Sequence, residues 1–318
     1  MHALVILGPT ASGKTSLALS LAQRVRCEII SLDSALVYKT MDIGTAKPTP
    51  SELAQVPHHL IDILDPKESY SAADFRRDCI KKVAEISNRG NLPIICGGTM
   101  MYYKALVEGL SPLPATDDSI RAKVLEEALQ IGWPAMHERL KEFDEKSYAR
   151  LNPNDKQRLS RAFEVYYQTG KSMSSFFEKE PKECCPFYRK EFILLPVNDD
   201  RAALRGLIKQ RFMMMLKTGL IEEVDDLKSR GDLNLQMPSM RCVGYRQVWE
   251  YLDGKYDYDT MKDLSIHATS HLAKHQMTWL RGALSNSSSN RTRLDIGDED
   301  NLNKIMEKAS YLLKPYLI

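Results

Sequence analysis

Apolar positions along this chain fall into short unbroken runs, separated by longer stretches in which they recur at helical spacing. The first run, Ala3 to Leu7, reads A-L-V-I-L and has the character of a strand buried on both faces of a parallel sheet. Comparable runs follow at Glu28–Leu32, Leu60–Leu64, Leu92–Cys96 and Phe192–Val197. Amphipathic segments separate the first of them. Thr15 to Val25 places Leu17, Leu21 and Val25 on one face. Ser71 with Asp74 makes a capping box that opens a helix running to about Asn88, and Arg89-Gly90 ends it. This alternation predicts a parallel-sheet core with helices on its faces, an α/β fold.

The rhythm breaks at Ser111-Pro112-Leu113-Pro114. From Asp117 to about Glu180 every signal is helical, which predicts an inserted all-helical domain between the fourth strand and the last. The expected organisation is a first part of the core over 1–112, a helical insertion over 113–188, and the rest of the core over 189–318. Helices resume after Asp199-Asp200. Asn286 to Asn290, with three serines between, reads as a flexible loop, and Asp298 to Leu313 as one closing helix.

Composition narrows the class without deciding it. A chain of 318 residues suits one large or two modest domains. No run approaches the ~18–20 apolar residues of a membrane span. The sequence enters its first strand at once, so no signal peptide is expected. The six cysteines show no C-x-x-C spacing and fit free thiols in a reducing cytoplasm better than disulfides or zinc. A net charge of +2 argues neither for nor against nucleic acid, so the local distribution of charge has to decide.

Candidate chemistry begins where the first strand ends. Gly8-Pro9-Thr10-Ala11-Ser12-Gly13-Lys14-Thr15 is a complete G-x-x-x-x-G-K-[ST] phosphate loop between a strand and a helix N-terminus. Unpaired backbone N–H groups and the helix dipole favour an anion there. Lys14 would reach the terminal phosphates, and the Thr15 hydroxyl would ligate Mg²⁺. The expected fold is therefore a P-loop parallel-sheet core, nucleoside-triphosphate-hydrolase-like, with the helical domain inserted.

The loop does not say what happens to the phosphates. Hydrolytic P-loop enzymes usually pair it with a strand ending in Asp and a water-activating residue. Here the fourth strand ends in Cys96-Gly97-Gly98-Thr99, and no N-K-x-D for guanine is present. The second strand does end in a carboxylate, Asp33. Strand C-termini in such sheets open onto the ligand crevice, so Asp33 is placed to act on whatever approaches the phosphates. A helix cap or an outer ligand of Mg²⁺ are its plainer roles. A small-molecule kinase, a transferase with a diphosphate leaving group, and a non-catalytic nucleic-acid-binding P-loop protein all fit these residues.

Further motifs follow in order: D-S-A-L-V-Y-K-T-M-D-I-G-T-A-K-P at 33–48, P-H-H-L at 57–60, Y-S-A-A-D-F-R-R-D at 70–78 and G-G-T-M-M-Y at 97–102. Then come P-N-D-K-Q-R-L-S-R-A-F-E-V at 153–165, R-C-V-G-Y-R-Q-V-W at 241–249 and Q-M-T-W-L-R at 276–281. Over about residues 3 to 284 this set resembles the bacterial tRNA dimethylallyltransferases, also called tRNA isopentenyltransferases. The resemblance implies transfer of a dimethylallyl group from dimethylallyl diphosphate to the exocyclic 6-amino group of the adenosine 3′-adjacent to the anticodon, tRNA position 37. It makes Asp33 the catalytic base, and Thr10 and Arg211 contacts to the diphosphate. An adenine amino group is a poor nucleophile, so a positioned carboxylate suits the reaction. Leaving-group charge would fall to Lys14, loop N–H groups and Mg²⁺.

The target base is stacked in its loop and must leave the stack to react. By resemblance, Asp33, Ser34, Ala35 and Leu36 contact the flipped adenosine, although many family members have Gln at the position of Leu36. Thr99 and Arg121 match positions beside the tRNA. So do Gln157, Arg158, Leu159, Ser160 and Arg161 of the insertion, and Arg241, Cys242, Val243, Gly244, Tyr245 and Arg246. The last segment is Lys274, His275, Gln276, Met277, Thr278, Trp279, Leu280 and Arg281. Ser270 and His275 replace two family arginines, which weakens fixed charge there. Arg201 to Lys217 holds five cations and no acid, with Arg201, Arg205 and Lys209 in one stripe. Such a stripe suits RNA phosphates or, more plainly, a solvated helix face. One tRNA per chain makes a monomer sufficient.

Overall fold

The computed structural model describes residues 1–179, 183–285 and 290–318. The chain divides into two compact units, Met1–Val107 with Cys185–Ile318, and Glu108–Cys184. In the first, a parallel sheet has the order β3-β2-β4-β1-β5-β6 among the described residues. Its strands are β1 (His2–Leu7), β2 (Cys27–Leu32), β3 (His58–His59), β4 (Leu92–Gly97), β5 (Tyr188–Leu195) and β6 (Arg291–Asp295). The helices of this unit are α1 (Lys14–Ala22), α2 (Pro50–Gln55), α3 (Ala72–Asn88) and α4 (Met100–Glu108). The helical unit holds α5 (Asp118–Ile131), α6 (Trp133–Arg139), α7 (Glu145–Arg150), α8 (Lys156–Thr169) and α9 (Met173–Lys179). The chain then returns through α10 (Arg201–Lys217), α11 (Leu220–Ser229), α12 (Tyr245–Leu252), α13 (Tyr258–Ser285), α14 (Asn301–Lys308) and α15 (Ser310–Leu313).

Side chains of successive strand residues point to opposite faces, so the apolar runs feed two cores. Val5, Leu7, Ile30, Leu32 and Ile95 pack with α3, α4, α10 and α13 through Phe75, Val83, Tyr103, Ile208 and Met277. Leu4, Ile6, Ile29, Ile94 and Leu194 pack on the other face with α1, α14 and α15 through Ala18, Leu21, Ile305 and Leu312. A third cluster, centred on Tyr38, Met41, Phe212, Val224, Tyr245 and Trp249, fastens the segment after β2 to α10, α11 and α12. The helical unit has its own core around Val124, Met136, Leu159 and Phe163.

Three sequence expectations change. Leu60–Leu64 is not a strand: the ladder in this region is confined to His58–His59. Leu60 and Asp62 sit at positive φ, and the N–H groups of Asp62 and Ile63 donate to the carbonyls of Leu36 and Val37 instead. The sheet also continues past Phe192–Val197 into β6, which pairs parallel with β5 through Leu294 against Leu194. The single closing helix is two, broken at Ala309. The segment 286–289 lies outside the described residues.

Candidate active site

β1, β2 and β4 lie side by side, and their C-terminal ends deliver the phosphate loop, Asp33 and Gly98-Thr99 to one edge of the sheet. Gly13 caps α1 from the left-handed region, φ 80°, which a glycine adopts without the Cβ penalty. No side chain caps this helix, so its first N–H groups are left for an anion.

The loop is held by the opposite wall. Gln276 on α13 accepts a hydrogen bond from the Thr10 N–H (2.8 Å) and donates from Nε2 to the carbonyl of Gly98 (2.9 Å). A Cβ at Gly98 would stand 2.7 Å from that Nε2 and 2.8 Å from the Gly8 carbonyl, so only glycine lets these chains approach. Arg211 on α10 donates from Nη2 to the Thr10 hydroxyl (2.8 Å). Lys14 Nζ donates to the Pro9 carbonyl (3.2 Å).

These groups line one cavity of about 520 Å³ together with Thr15, Asp33, Ser34, Ala35, Leu36, Thr99, Arg241, Cys242, Val243, Tyr245, His275 and Trp279. Asp33 is fixed by the Ala35 N–H, which donates to Oδ1 (2.8 Å). The Thr99 hydroxyl accepts from the Ser34 N–H (3.0 Å). Burial pushes the Lys14 ammonium below the usual lysine range, with Cys96 and Asp33 partly offsetting it. Burial also lowers Arg211, and Asp33 again opposes. Neither cation has an ion-pair partner within salt-bridge distance among the described residues. Two half-buried cations, one carboxylate and an uncapped helix N-terminus make an arrangement suited to an anion.

The structure also shows what sequence reading missed. Glu223 on α11 accepts from the N–H groups of Asp42 (2.8 Å), Ile43 (2.7 Å) and Gly44 (3.2 Å), and from the Tyr245 hydroxyl. Lys47 donates to the Tyr38 carbonyl (3.0 Å) and pairs with Asp42 and Asp62. Together they set the course of the 33–48 segment. Nothing in the sequence marks Glu223 except an acid in the first turn of a helix. Met100, Met101 and Leu272 add apolar wall to the cavity.

Other expected contacts fall elsewhere. Leu159, Met277 and Leu280 are buried core residues, so they support their segments and offer no side chain to an RNA. Ser160, also buried, donates to Glu164 Oε1 (2.9 Å). Arg246 pairs with Glu250 (3.7 Å) and Arg281 with Asp199 (2.9 Å). Thr278 donates to the Lys274 carbonyl (3.0 Å), and Gly244 forms the turn into α12 at φ 89°. Arg121, Gln157, Arg158 and Arg161 belong to the helical unit. There Arg121 and Arg161 both bond Glu164, at 3.3 Å each. Arg158 lies 3.5 Å from Asp155, and Gln157 is exposed.

A parallel sheet whose central strand runs into an uncapped phosphate loop, with a carboxylate on the next strand tip but one, defines a P-loop α/β scaffold. A family model described as IPP transferase matches residues 36–283, and the chain belongs to that family. Solved structures agree. A full-length tRNA isopentenylpyrophosphate transferase from Bacillus halodurans is 33% identical over 99% of this chain and 96% of its own, with a TM-score of 0.67. A tRNA delta(2)-isopentenylpyrophosphate transferase from Staphylococcus epidermidis is 31% identical over 98% and 99%, with a TM-score of 0.68. A eukaryotic dimethylallyltransferase acting on tRNA is 25% identical over 98% and 77%, with a TM-score of 0.78. None of these similarities points to a small-molecule kinase.

Proposed function

We propose that this chain transfers a dimethylallyl group from dimethylallyl diphosphate to the 6-amino group of adenosine 37 in tRNA, giving isopentenyladenosine and diphosphate. The observation that carries this reading is that Lys14, Arg211, Thr10 and Asp33 line one cavity, with Arg211 bonded to Thr10. The diphosphate lies against the loop N–H groups, Lys14 and the Arg211–Thr10 pair. The adenine amino nitrogen attacks the first carbon of the dimethylallyl group. The carbon–oxygen bond breaks, the electron pair leaves on the diphosphate, and Asp33 takes the amine proton. Lys14, Arg211 and the loop amides act most strongly as that negative charge develops. Ser34, Ala35, Leu36 and Thr99 flank the base beside Asp33, and Met100, Met101 and Leu272 give the prenyl group apolar surface.

Mg²⁺ fits the donor set: Thr15 and Asp33 present hard oxygens to the cavity, while burial raises the Cys96 thiol to about 11 and keeps it from competing as a thiolate. Thr15 would hold the ion, which would neutralise charge on the diphosphate. Arg241, Cys242, Val243, Tyr245, His275 and Trp279 form the RNA-side rim, and Lys274 continues it along α13. The helical unit supplies further tRNA contact. Among the described residues no helix is long and apolar enough to cross a membrane. We place the reaction in the cytoplasm, with the monomer as the working unit.

Labelled dimethylallyl diphosphate incubated with the purified protein and bulk tRNA should give labelled tRNA and free diphosphate. Asp33→Ala should lower kcat by about 10²–10⁴-fold while leaving tRNA affinity nearly unchanged. Loss of affinity with kcat preserved would contradict Asp33 as the base.

A further inference from the structure

A second cavity, of about 610 Å³, lies on the other flank of α13 from the catalytic cavity. α13 serves both. Leu272, His275, Gln276 and Trp279 face the catalytic cavity, and His267, Ser270, His271 and Lys274 face the second. The opposite wall is α10, through Arg201, Arg205 and Lys209. The floor is apolar, with Leu204, Ile208, Ala273 and Met277 belonging to the sheet core.

Several cations on other helices are paired with acids. Arg77 on α3 is paired with Asp74 and Asp78, Lys82 with Glu85, Lys228 on α11 with Asp253, and Lys304 on α14 with Asp298. The side chains of Arg201, Arg205, Lys209 and Lys274 have no ion-pair partner within salt-bridge distance among the described residues. The lining holds a single carboxylate, Asp263. A cation stripe that merely solubilised a helix would cost nothing to interleave with acids, as α3 does. Here the α10 wall carries no acid and the α13 wall carries one, Asp263. On α10 the cations recur every fourth residue, a rise of about 6 Å between neighbours. That is close to the step between successive phosphates along one nucleic-acid strand.

We propose that the α10–α13 groove binds the sugar–phosphate backbone of the RNA substrate, with one strand running along Arg201, Arg205 and Lys209 and Lys274 facing it. This rests on the tRNA reading above. It assigns to the enzyme a phosphate track separate from the pocket that takes the base. Contacts of this kind set affinity and register without reading sequence. The groove therefore supplies binding free energy that is equal in ground and transition states, and it acts on the KM for tRNA rather than on kcat.

The test is the salt dependence of tRNA binding for the triple variant Arg201→Ala, Arg205→Ala, Lys209→Ala, with kinetics at saturating tRNA. Three lost phosphate contacts should flatten the slope of log Kd against log salt by about 2–3 and weaken binding tenfold or more at low salt. kcat at saturating tRNA and the KM for dimethylallyl diphosphate should not move. Arg205→Lys with Lys209→Arg keeps the charge and should restore the slope, which separates charge from folding. An unchanged slope in the triple variant overturns the proposal. So does a rise in the KM for the donor with tRNA binding intact, which would make the groove a donor site. If the parent protein neither binds nor prenylates tRNA, the reading of the catalytic cavity falls first. If the parent does both and the triple variant matches it, only the groove falls.

Discussion

The core of the helical unit and the phosphate loop of the sheet unit treat their cations in opposite ways. In the helical unit, Arg121 and Arg161 converge on one buried acid, Glu164, which also accepts from Ser160. Arg139 is bound to Glu127, which accepts as well from the Tyr167 hydroxyl (2.6 Å). These cations are neutralised from within, and their work is to hold helices together. At the phosphate loop, Lys14 and Arg211 are drawn toward the interior and left without a carboxylate partner. A desolvated cation without a counter-charge is costly unless something brings the charge in. The contrast separates cations that build the protein from those that await a ligand, a distinction net charge and motif spacing both blur.

The largest test of that contrast is to remove a waiting cation. Arg211→Ala or Lys14→Ala should lower kcat by about 10²–10³-fold, the loss seen when one preorganised donor to a developing anion is deleted. Thermal stability should stay level or rise, because an unpaired, partly desolvated charge has gone. A fall in stability to match the fall in rate would mean that these residues are structural after all.

The next test uses an acid inside the sheet unit that is fully engaged. Glu28 is 3% exposed and accepts from Arg89 (2.9 and 2.6 Å), Asn91 (2.8 Å) and His59 (2.6 Å). The Arg89 hydrogen bond, more than any other contact, holds its carboxyl down to about 2. A depressed carboxylate stabilises the fold fully above its ordinary range, and that contribution drains away as pH falls from about 4.5 to about 2. Glu28→Gln should therefore cost up to about 3 kcal/mol at neutral pH, with the gap to the parent closing across that acid window. Urea unfolding at a series of pH values reads it directly, and a gap independent of pH would refute the assignment.

The smallest effect belongs to the helical unit. Glu164→Ala strands Arg121, Arg161 and Ser160 together and should cost about 1–3 kcal/mol. Chemical denaturation would show it. Prenyl transfer at saturating tRNA should change little. If Arg121 and Arg161 act chiefly on tRNA, freeing them should instead tighten tRNA binding with stability unmoved.

How much of this could be read from the sequence depends on what fixed each element. The phosphate loop, Asp33 at a strand tip and the Ser71–Asp74 capping box were legible because each is local: the residues that form the feature are within a few positions of one another. β6 was not, because Arg291-Thr292-Arg293-Leu294-Asp295 buries only Leu294 and gives no apolar run. As an edge strand it needs only the free side of β5. Leu60–Leu64 misled in the other direction. Its apolar content reflects packing, while its backbone bonds go to Leu36 and Val37 some 25 residues earlier. In the catalytic cavity the nucleating motifs were visible, but the groups that hold them were not. Glu223 and the two-ended role of Gln276 depend on contacts across 180 and 266 residues of chain, which no window of sequence contains.

Gln276 has a consequence of its own. One carboxamide joins the Thr10 amide to the Gly98 carbonyl, so α13 is fastened in series to the phosphate loop and to the tip of β4. Any ligand that displaces α13 must strain both bonds or break both. Free energies so linked are reciprocal: whatever an occupant of α13 does to the affinity of the loop for its anion, that anion does in equal measure to the affinity of α13 for its occupant. Such a linkage is the same whichever of the two ligands arrives first.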